Sequence, residues 1–550
     1  MLKKPNLIWL LLAGSLFLWP VCSQAQYKDT DALADRVQEL RSNYPDRLDA
    51  SILTESSQRN PIWLLKIGSG EVDSKPAIAV FGGVAGHHLL GQELALGLAE
   101  RLLQTDSLQD VLRTTTFYVF PQVSPDAAQQ YFAQLRYERQ ANARNTDTDR
   151  DGYTNEDPGE DLNGDGMLTM MRVAAPDGDY VLHPADERVL RRAQPEDGTS
   201  NRYHLLPEGR DNDKDGAHSE DGPGGIHFNK NWTFKHPTFS PGAGEFAISE
   251  QQNRRIADFL YEHFNVFAVL TFGPSENLVA PFTYSPAHDR QRVISGILRG
   301  DAEVNKMVSA LFAEAVRSKE GVKASSSDGG FMEWAYFHYG RYSYGTPGWY
   351  VPKFEMPKDS SEAAQYRKNE DNNADIDFLR WAASEQVPDV YVEWTEVEHP
   401  DFPNQQVEVG GIAPFVQLNP PYQMVEDLVD QHTDFAVTLS QQRAELALTN
   451  VRTEQVDDGL YRVKATLVNS GNMPSSTEIG ERFNWIKRLR VDLTMQDNQT
   501  LSTGRPVYLY NRMLPGESKM LSWLIRGEGE VTLSAGAPHL GTDSITLELD

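Results

Sequence analysis

Cysteine is all but absent: Cys22 is the sole one in 550 residues. A single thiol cannot close an intrachain disulfide, so the chain must rely on packing, hydrogen bonds or bound ions. Cys22 itself falls in the opening stretch MLKKPNLIWLLLAGSLFLWPVCSQAQ, which is laid out like an export signal. Lys3 and Lys4 give a positive start, an apolar run extends from Leu7 to about Val21, and Ser23-Gln24-Ala25 offers small residues around a cut after Ala25. The run is too short to span a membrane comfortably. Attachment of a lipid to Cys22 is the rival reading, but Trp19-Pro20-Val21 lacks the small residue expected just ahead of such a site. The expectation is a signal peptide over residues 1–25 and an exported mature chain, periplasmic or extracellular, with no cysteine.

Basic charge is scarce as well. Lys and Arg number 51 against 79 Asp and Glu, a formal net charge of −28. A nucleic-acid partner needs a basic face, so this balance argues against that class. No later apolar run is long enough to cross a membrane, so no transmembrane segment is expected. What remains is ordinary for a globular chain: 39% hydrophobic and 10% aromatic residues suffice for a buried core, and the length allows two or more domains.

From about Pro76 to Leu270, strand and helix patterns alternate. PAIAVFGGV, TTTFYVFPQV and NVFAVLTFGP read as strands, while LGQELALGLAERLLQ and SEQQNRRIADFLYEHF carry apolar residues at helical spacing. This alternation predicts an α/β sheet with helices on its faces. Between residues 145 and 225 the pattern breaks into an acidic, glycine-rich insert. A helical stretch from Pro421 to about Ala444 closes the first domain, residues 26–444. After it the texture turns to short alternating strands such as LYRVKATLVNSG, which predicts a small antiparallel β-sandwich over 445–550.

Five segments, in order, resemble the M14 zinc carboxypeptidases. GGVAGHHLLGQELALGLAERLL resembles the family's zinc turn and following helix, and VSPDA its Asn-Pro-Asp-Gly. GIHFNKNW resembles Asp-Leu-Asn-Arg-Asn-Phe, AISEQQNRRIADFL the Ser-Glu-Pro-Glu-Thr helix, and SSSDGGFMEWAYFHYGRYSYGTPGWYVP the segment leading to the catalytic glutamate. The likeness covers roughly residues 30 to 440. It implies a mixed central sheet flanked by helices, zinc held by two His and one Glu with a position left for water, and a separate glutamate that moves the proton.

Set on the turn without gaps, the family positions hold other residues. The first His falls on Ala85 and the Glu on His88. The third ligand falls on Phe272 or Gly273, and the catalytic Glu near Thr346 or Pro347. Of these only His88 can bind a metal, so zinc is not expected at the family site. A rearranged site from His87, His88 and a distant acid such as Glu276 is the alternative; a polar lining of the cleft is the reading favoured here. Asn229 and Lys230 stand where the family has the Asn-Arg pair that receives a substrate's terminal carboxylate, and lysine keeps the charge without the bidentate fork. Arg144 loosely matches the arginine that supports the oxyanion. With aromatics such as Phe272, Trp334 and Tyr344, such a cleft suits a peptide or other anionic small ligand. The plainer possibility is that Lys230 and Arg144 pair with nearby carboxylates.

The insert carries three loops of the form D-x-[DN]-x-D-G. They are Asp147-Asp149-Asp151, Asp161-Asn163-Asp165 and Asp211-Asp213-Asp215, followed by Gly152, Gly166 and Gly216. This spacing aims alternate oxygen ligands into one concavity, with the glycine making the sharp turn, as calcium requires. Loop position twelve is Pro158, Arg172 or Gly222 rather than glutamate, so these are shorter loops than an EF-hand. Structural calcium is the expectation.

The C-terminal module resembles adhesion-type β modules appended to exported enzymes, which implies a stabilising role or contact with a cell surface or glycan. Together these readings point to an exported M14-like protein, catalytically defective and kept for ligand binding. The alternatives are an active zinc carboxypeptidase with a rearranged site, and a calcium-stabilised surface adhesion protein.

Overall fold

The computed structural model describes residues 26–147, 152, 154, 157–214, 216, 218–219, 224–317, 322–353 and 360–550. The expected signal segment, together with Asp149, Asp151 and Asp215 of the acidic loops, lies outside these. Among the described residues no helix is long and apolar enough to cross a membrane.

The first domain is built on a six-stranded sheet: β1 (Leu48–Glu55), β2 (Pro61–Ile67), β3 (Ala77–Phe81), β4 (Thr116–Phe120), β5 (Val266–Phe272) and β6 (Tyr342–Thr346), in the order β1-β2-β4-β3-β5-β6. β3 runs parallel to β4 and β5, and β5 parallel to β6. β1 and β2 join antiparallel, which makes the sheet mixed. Strands β3 to β6 are buried along their whole length, as their unbroken apolar sequences require of a sheet covered on both faces.

Alternate residues of β3 serve two cores. Ile78 and Val80 pack with the leucines of the helix Leu89–Gln104 and with the helix Val425–Ser440. Ala77, Ala79 and Phe81 face Phe120, Trp232 and Trp334 on the other side. The two helices on the first face lie so close that a Cβ at Gly97 would come within 2.6 Å of Val429.

The insert is more than acidic loops. Met170–Ala174, Tyr180–His183, Asp186–Arg192 and Tyr203–Pro207 are strands, and they combine with Tyr391–Val397 and Val407–Ile412 into a second six-stranded sheet, antiparallel throughout. Its apolar content is small: Met171, Val173, Val407 and Val409 form the buried cluster. Short, charged strands with so thin a core leave little periodicity to read.

Residues 446–549 form two four-stranded antiparallel sheets packed face to face around Trp523, Val491 and Leu533. The strand Leu460–Asn469 alternates buried and half-buried residues, as expected of a sandwich strand. This module is docked by buried bonds. Tyr342 Oη on β6 donates to Ser476 O, Thr477 Oγ1 donates to Gly340 O, and Asp301 accepts from the N–H groups of Glu478 and Ile479.

Candidate functional site

Three parallel strands end side by side, at Phe81, Phe272 and Thr346. The segments that follow them meet outside the carboxyl edge of the sheet, where open α/β sheets place their sites. There the turn 82–88 faces Gly273 and Pro347.

The positions implied for zinc are closed by packing. His88 is buried, and its Nε2 lies 3.0 Å from Pro347 O. A carbonyl oxygen can only accept, so Nε2 carries the proton. Burial, with His87 alongside, holds the His88 pKa down to about 4. Ala85 offers no donor atom. Phe272 is wholly buried, its ring edge-on to His432. A Cβ on Gly273 would meet Val84 Cγ2 at 2.2 Å, so no ligand-bearing side chain fits there. Thr346 Oγ1 pairs with Tyr350 Oη at 2.9 Å. The donor set does not fit a zinc ion.

The rearranged set does not assemble either. Glu276 is buried and turned onto its own loop, accepting from the N–H groups of Leu278 and Val279 and from Tyr350 Oη. Among the described residues, His87, His88 and Glu276 are not brought within coordination reach of one another.

The residues implied for substrate binding are partly committed. Asn229 Oδ1 accepts from Phe331 N, and Lys230 Nζ donates to Pro241 O at 3.3 Å. Arg144 pairs with buried Glu250 at 3.0 Å, and Glu250 also accepts from Asn142. All three aromatics expected in the cleft are buried in the cores: Phe272 and Tyr344 on one face of the sheet, and Trp334 on the other, its ring tilted against Trp232 with centres 4.5 Å apart. Apolar surface of this size is driven inward wherever a core is available.

His227, within GIHFNKNW, is a partly buried histidine that nothing in the local sequence sets apart. Its pKa is lowered to about 4, first by burial and then by Lys230 and His87. His87 is held at about 4 by burial alone. Nδ1 of His87 and Nδ1 of His227 are both buried without a hydrogen-bond partner. At neutral pH both rings are uncharged, and Lys230 carries the positive charge on this segment.

Beside β6 opens a cavity of about 540 Å3, lined among others by Asn277, Asn305, Glu333, Tyr336 and Tyr344. Burial raises the Glu333 pKa to about 7. Its Oε1 accepts from Ser327 N, while Oε2 is buried without a partner. Nothing in the local pattern of Glu333 distinguishes it from a surface acid on a helix.

The acidic loops share one turn. Asp147 accepts from Gly152 N, Asp161 from Gly166 N and Asp211 from Gly216 N, at 3.0, 2.9 and 3.1 Å. The three glycines have φ of 104°, 82° and 97°, where glycine alone is unstrained. Asn163 and Asp165 lie in the second turn, bonded to each other, and Asp213 lies in the third. Wholly buried Asp157 accepts from Asn212 N and Ser219 N, tying the first loop to the third.

Two family models match the chain. Residues 33–166 match one described as zinc carboxypeptidase, and residues 445–548 match one described as a domain of unknown function. Among solved structures the chain is similar to carboxypeptidase A from Helicoverpa armigera, at 15% identity and TM-score 0.38 over 65% of this chain and 74% of that one. It is also similar to a metallo-carboxypeptidase from Pseudomonas aeruginosa, at 12% identity and TM-score 0.30 over 64% and 68%. A third is the metallo-carboxypeptidase from Burkholderia cenocepacia, at 10% identity and TM-score 0.31 over 57% and 58%. No curated protein matches.

Proposed function

We propose that this carboxypeptidase-like chain is exported and binds a peptide or other small anionic ligand without hydrolysing it. The observation that supports this is the closure of the zinc positions: His88 is bonded to Pro347 O, and Val84 fills the space beside Gly273. Hydrolysis in this fold needs an ion to activate water and a carboxylate to move its proton. Among the described residues, the family's positions carry neither set of donor atoms.

Binding needs less. Lys230 supplies a positive charge for a carboxylate, and the unpartnered imidazole nitrogens of His87 and His227 offer polar contacts. The cavity beside β6 gives a recess for an apolar side chain of the ligand. The three acidic turns are assigned to calcium, which would neutralise them and hold the insert in place.

The test is a C-terminal peptide library presented to the full chain with and without zinc. Expected are no release of C-terminal residues, and binding that weakens about tenfold or more in Lys230→Ala, as loss of a charge-assisted contact predicts. Zinc-dependent release that disappears in His88→Ala would overturn the reading.

A further inference from the structure

A cluster of metal-type side chains lies where the insert meets the turn between Tyr391–Val397 and Val407–Ile412. His218, from the third acidic loop, and His399 and Asp401, from that turn, each offer one donor atom, and the three atoms lie within 4.8 Å of one another. We propose that these residues bind a divalent transition ion of the zinc class, which staples the insert to the 398–402 turn.

The geometry is near what such an ion requires. Asp401 Oδ2 is 3.7 Å from His218 Nε2 and 3.6 Å from His399 Nδ1. A tetrahedral ion with bonds of about 2.0–2.1 Å sets its ligand atoms about 3.3–3.4 Å apart, so the two distances to Asp401 need to close by a few tenths, while the two imidazole nitrogens start within 4.8 Å of each other and draw in around the ion. Both rings are buried, His399 at 5% exposure and His218 at 9%.

The protonation pattern points the same way. His399 Nε2 lies 2.9 Å from Gly209 O, so that nitrogen carries the proton and donates it to the carbonyl. The other nitrogen, Nδ1, then presents a lone pair and accepts weakly from Asp401 N at 3.3 Å. An imidazole that donates one nitrogen to a backbone carbonyl and aims the other at a carboxylate is oriented as metal-bound histidines are. His218 makes the stronger case. Neither of its ring nitrogens has a hydrogen-bond partner, although the side chain is nine-tenths buried. Its ring is held in place by stacking on Phe402, at 5.4 Å and 13°. Buried polar groups are rarely left unused. Two imidazoles and one carboxylate suit zinc rather than calcium, which prefers oxygen throughout.

The test strips the full chain with a chelator and titrates it with zinc, and separately with cobalt as a visible probe. The expected result is one equivalent of zinc in the wild type and in His88→Ala, with a cobalt spectrum of tetrahedral type. His218→Phe keeps the stack on Phe402, and Asp401→Asn keeps an acceptor for Asp211 N, so both variants should fold with unchanged circular dichroism. Each should weaken zinc binding about 100-fold. Zinc affinity unchanged in His218→Phe overturns the proposal, as does zinc lost in His88→Ala or displaced fully by millimolar calcium. Peptide release is not involved in this readout, so failure here leaves the proposed peptide binding standing.

Discussion

His88 and Pro347 meet across the carboxyl edge of the sheet, imidazole Nε2 to carbonyl oxygen at 3.0 Å. One follows β3 and the other follows β6, so this bond joins two loops that a hydrolytic site would hold apart around an ion and a water. Its consequence is a neutral, buried ring rather than a ligand.

Stability should fall on mild acidification. His87, His88 and His227 are lowered to about 4, and His539 to about 3, with burial the first cause each time. In the unfolded chain these groups take up protons near pH 6.5, so the stabilisation is present above that pH and is lost as pH falls toward 4. Each ring contributes on the order of 3 kcal/mol across the window. Urea midpoints at pH 7.5, about 5.5 and about 4.5 should decline steeply, and less steeply in His88→Ala. A flat profile removes the claim.

Glu333 acts in the opposite sense. Its pKa is raised to about 7 by burial, so its protonated form is favoured in the folded chain. The stabilisation is complete below its unfolded value and is lost as pH rises through 7. Glu333→Gln should therefore raise stability at pH 8 by on the order of 2–3 kcal/mol and leave it unchanged near pH 4. Equal effects at both pH values would show that the carboxyl is not desolvated.

Gly273→His should destabilise the chain by about 1–3 kcal/mol, because its Cβ would run into Val84. Adding Val84→Ala should recover part of the loss, a coupling that a double-mutant cycle by urea unfolding measures directly. Strict additivity would mean the two side chains do not compete for one space.

Calcium should raise the melting temperature of chelator-treated protein at millimolar concentration, by mass action on the folded state. Gly216→Ala introduces a Cβ at φ of 97° with nothing within 4 Å of it, so it probes the turn alone. It should blunt the calcium response while costing about 1–2 kcal/mol without calcium. No shift with calcium in the wild type sinks the assignment.

Deleting residues 445–550 should cripple the first domain rather than release it. Asp301 would lose its bonds from Glu478 N and Ile479 N, and Tyr342 would lose Ser476 O. Asp301 would keep the bond from Tyr336 Oη, but the buried partners it loses cost about 1–3 kcal/mol, beyond the apolar surface exposed. Limited proteolysis should show the truncated chain cut rapidly; resistance equal to that of the full chain would contradict this.

Much of the central sheet was legible because PAIAVF and NVFAVLTF are unbroken apolar runs flanked by helical patterns, and β3, β4 and β5 fall within the stretches read as strands. The lost ligand positions could also be read, since Ala85 and Phe272 lack donor atoms whatever the fold does. Room at Gly273 could not, because the Val84 side chain that fills it arrives from another strand end. His227, His218 and Glu333 were hidden for a related reason: their character comes from burial by segments remote in sequence. The second sheet escaped because strands such as DERVLRR carry charged residues on both faces, Arg191 buried and paired with Asp197, so no alternation shows.

That second sheet sets a timetable for assembly. Arg172 Nε bonds Glu408 Oε2 across neighbouring strands that lie 236 residues apart in the chain. Until the later strand is made, Met170–Ala174 waits with an unsatisfied edge, open to pairing with any stray strand. Closure over so long a loop is slow, so this sheet should be the last part of the first domain to mature and the first place where a hurried chain goes astray.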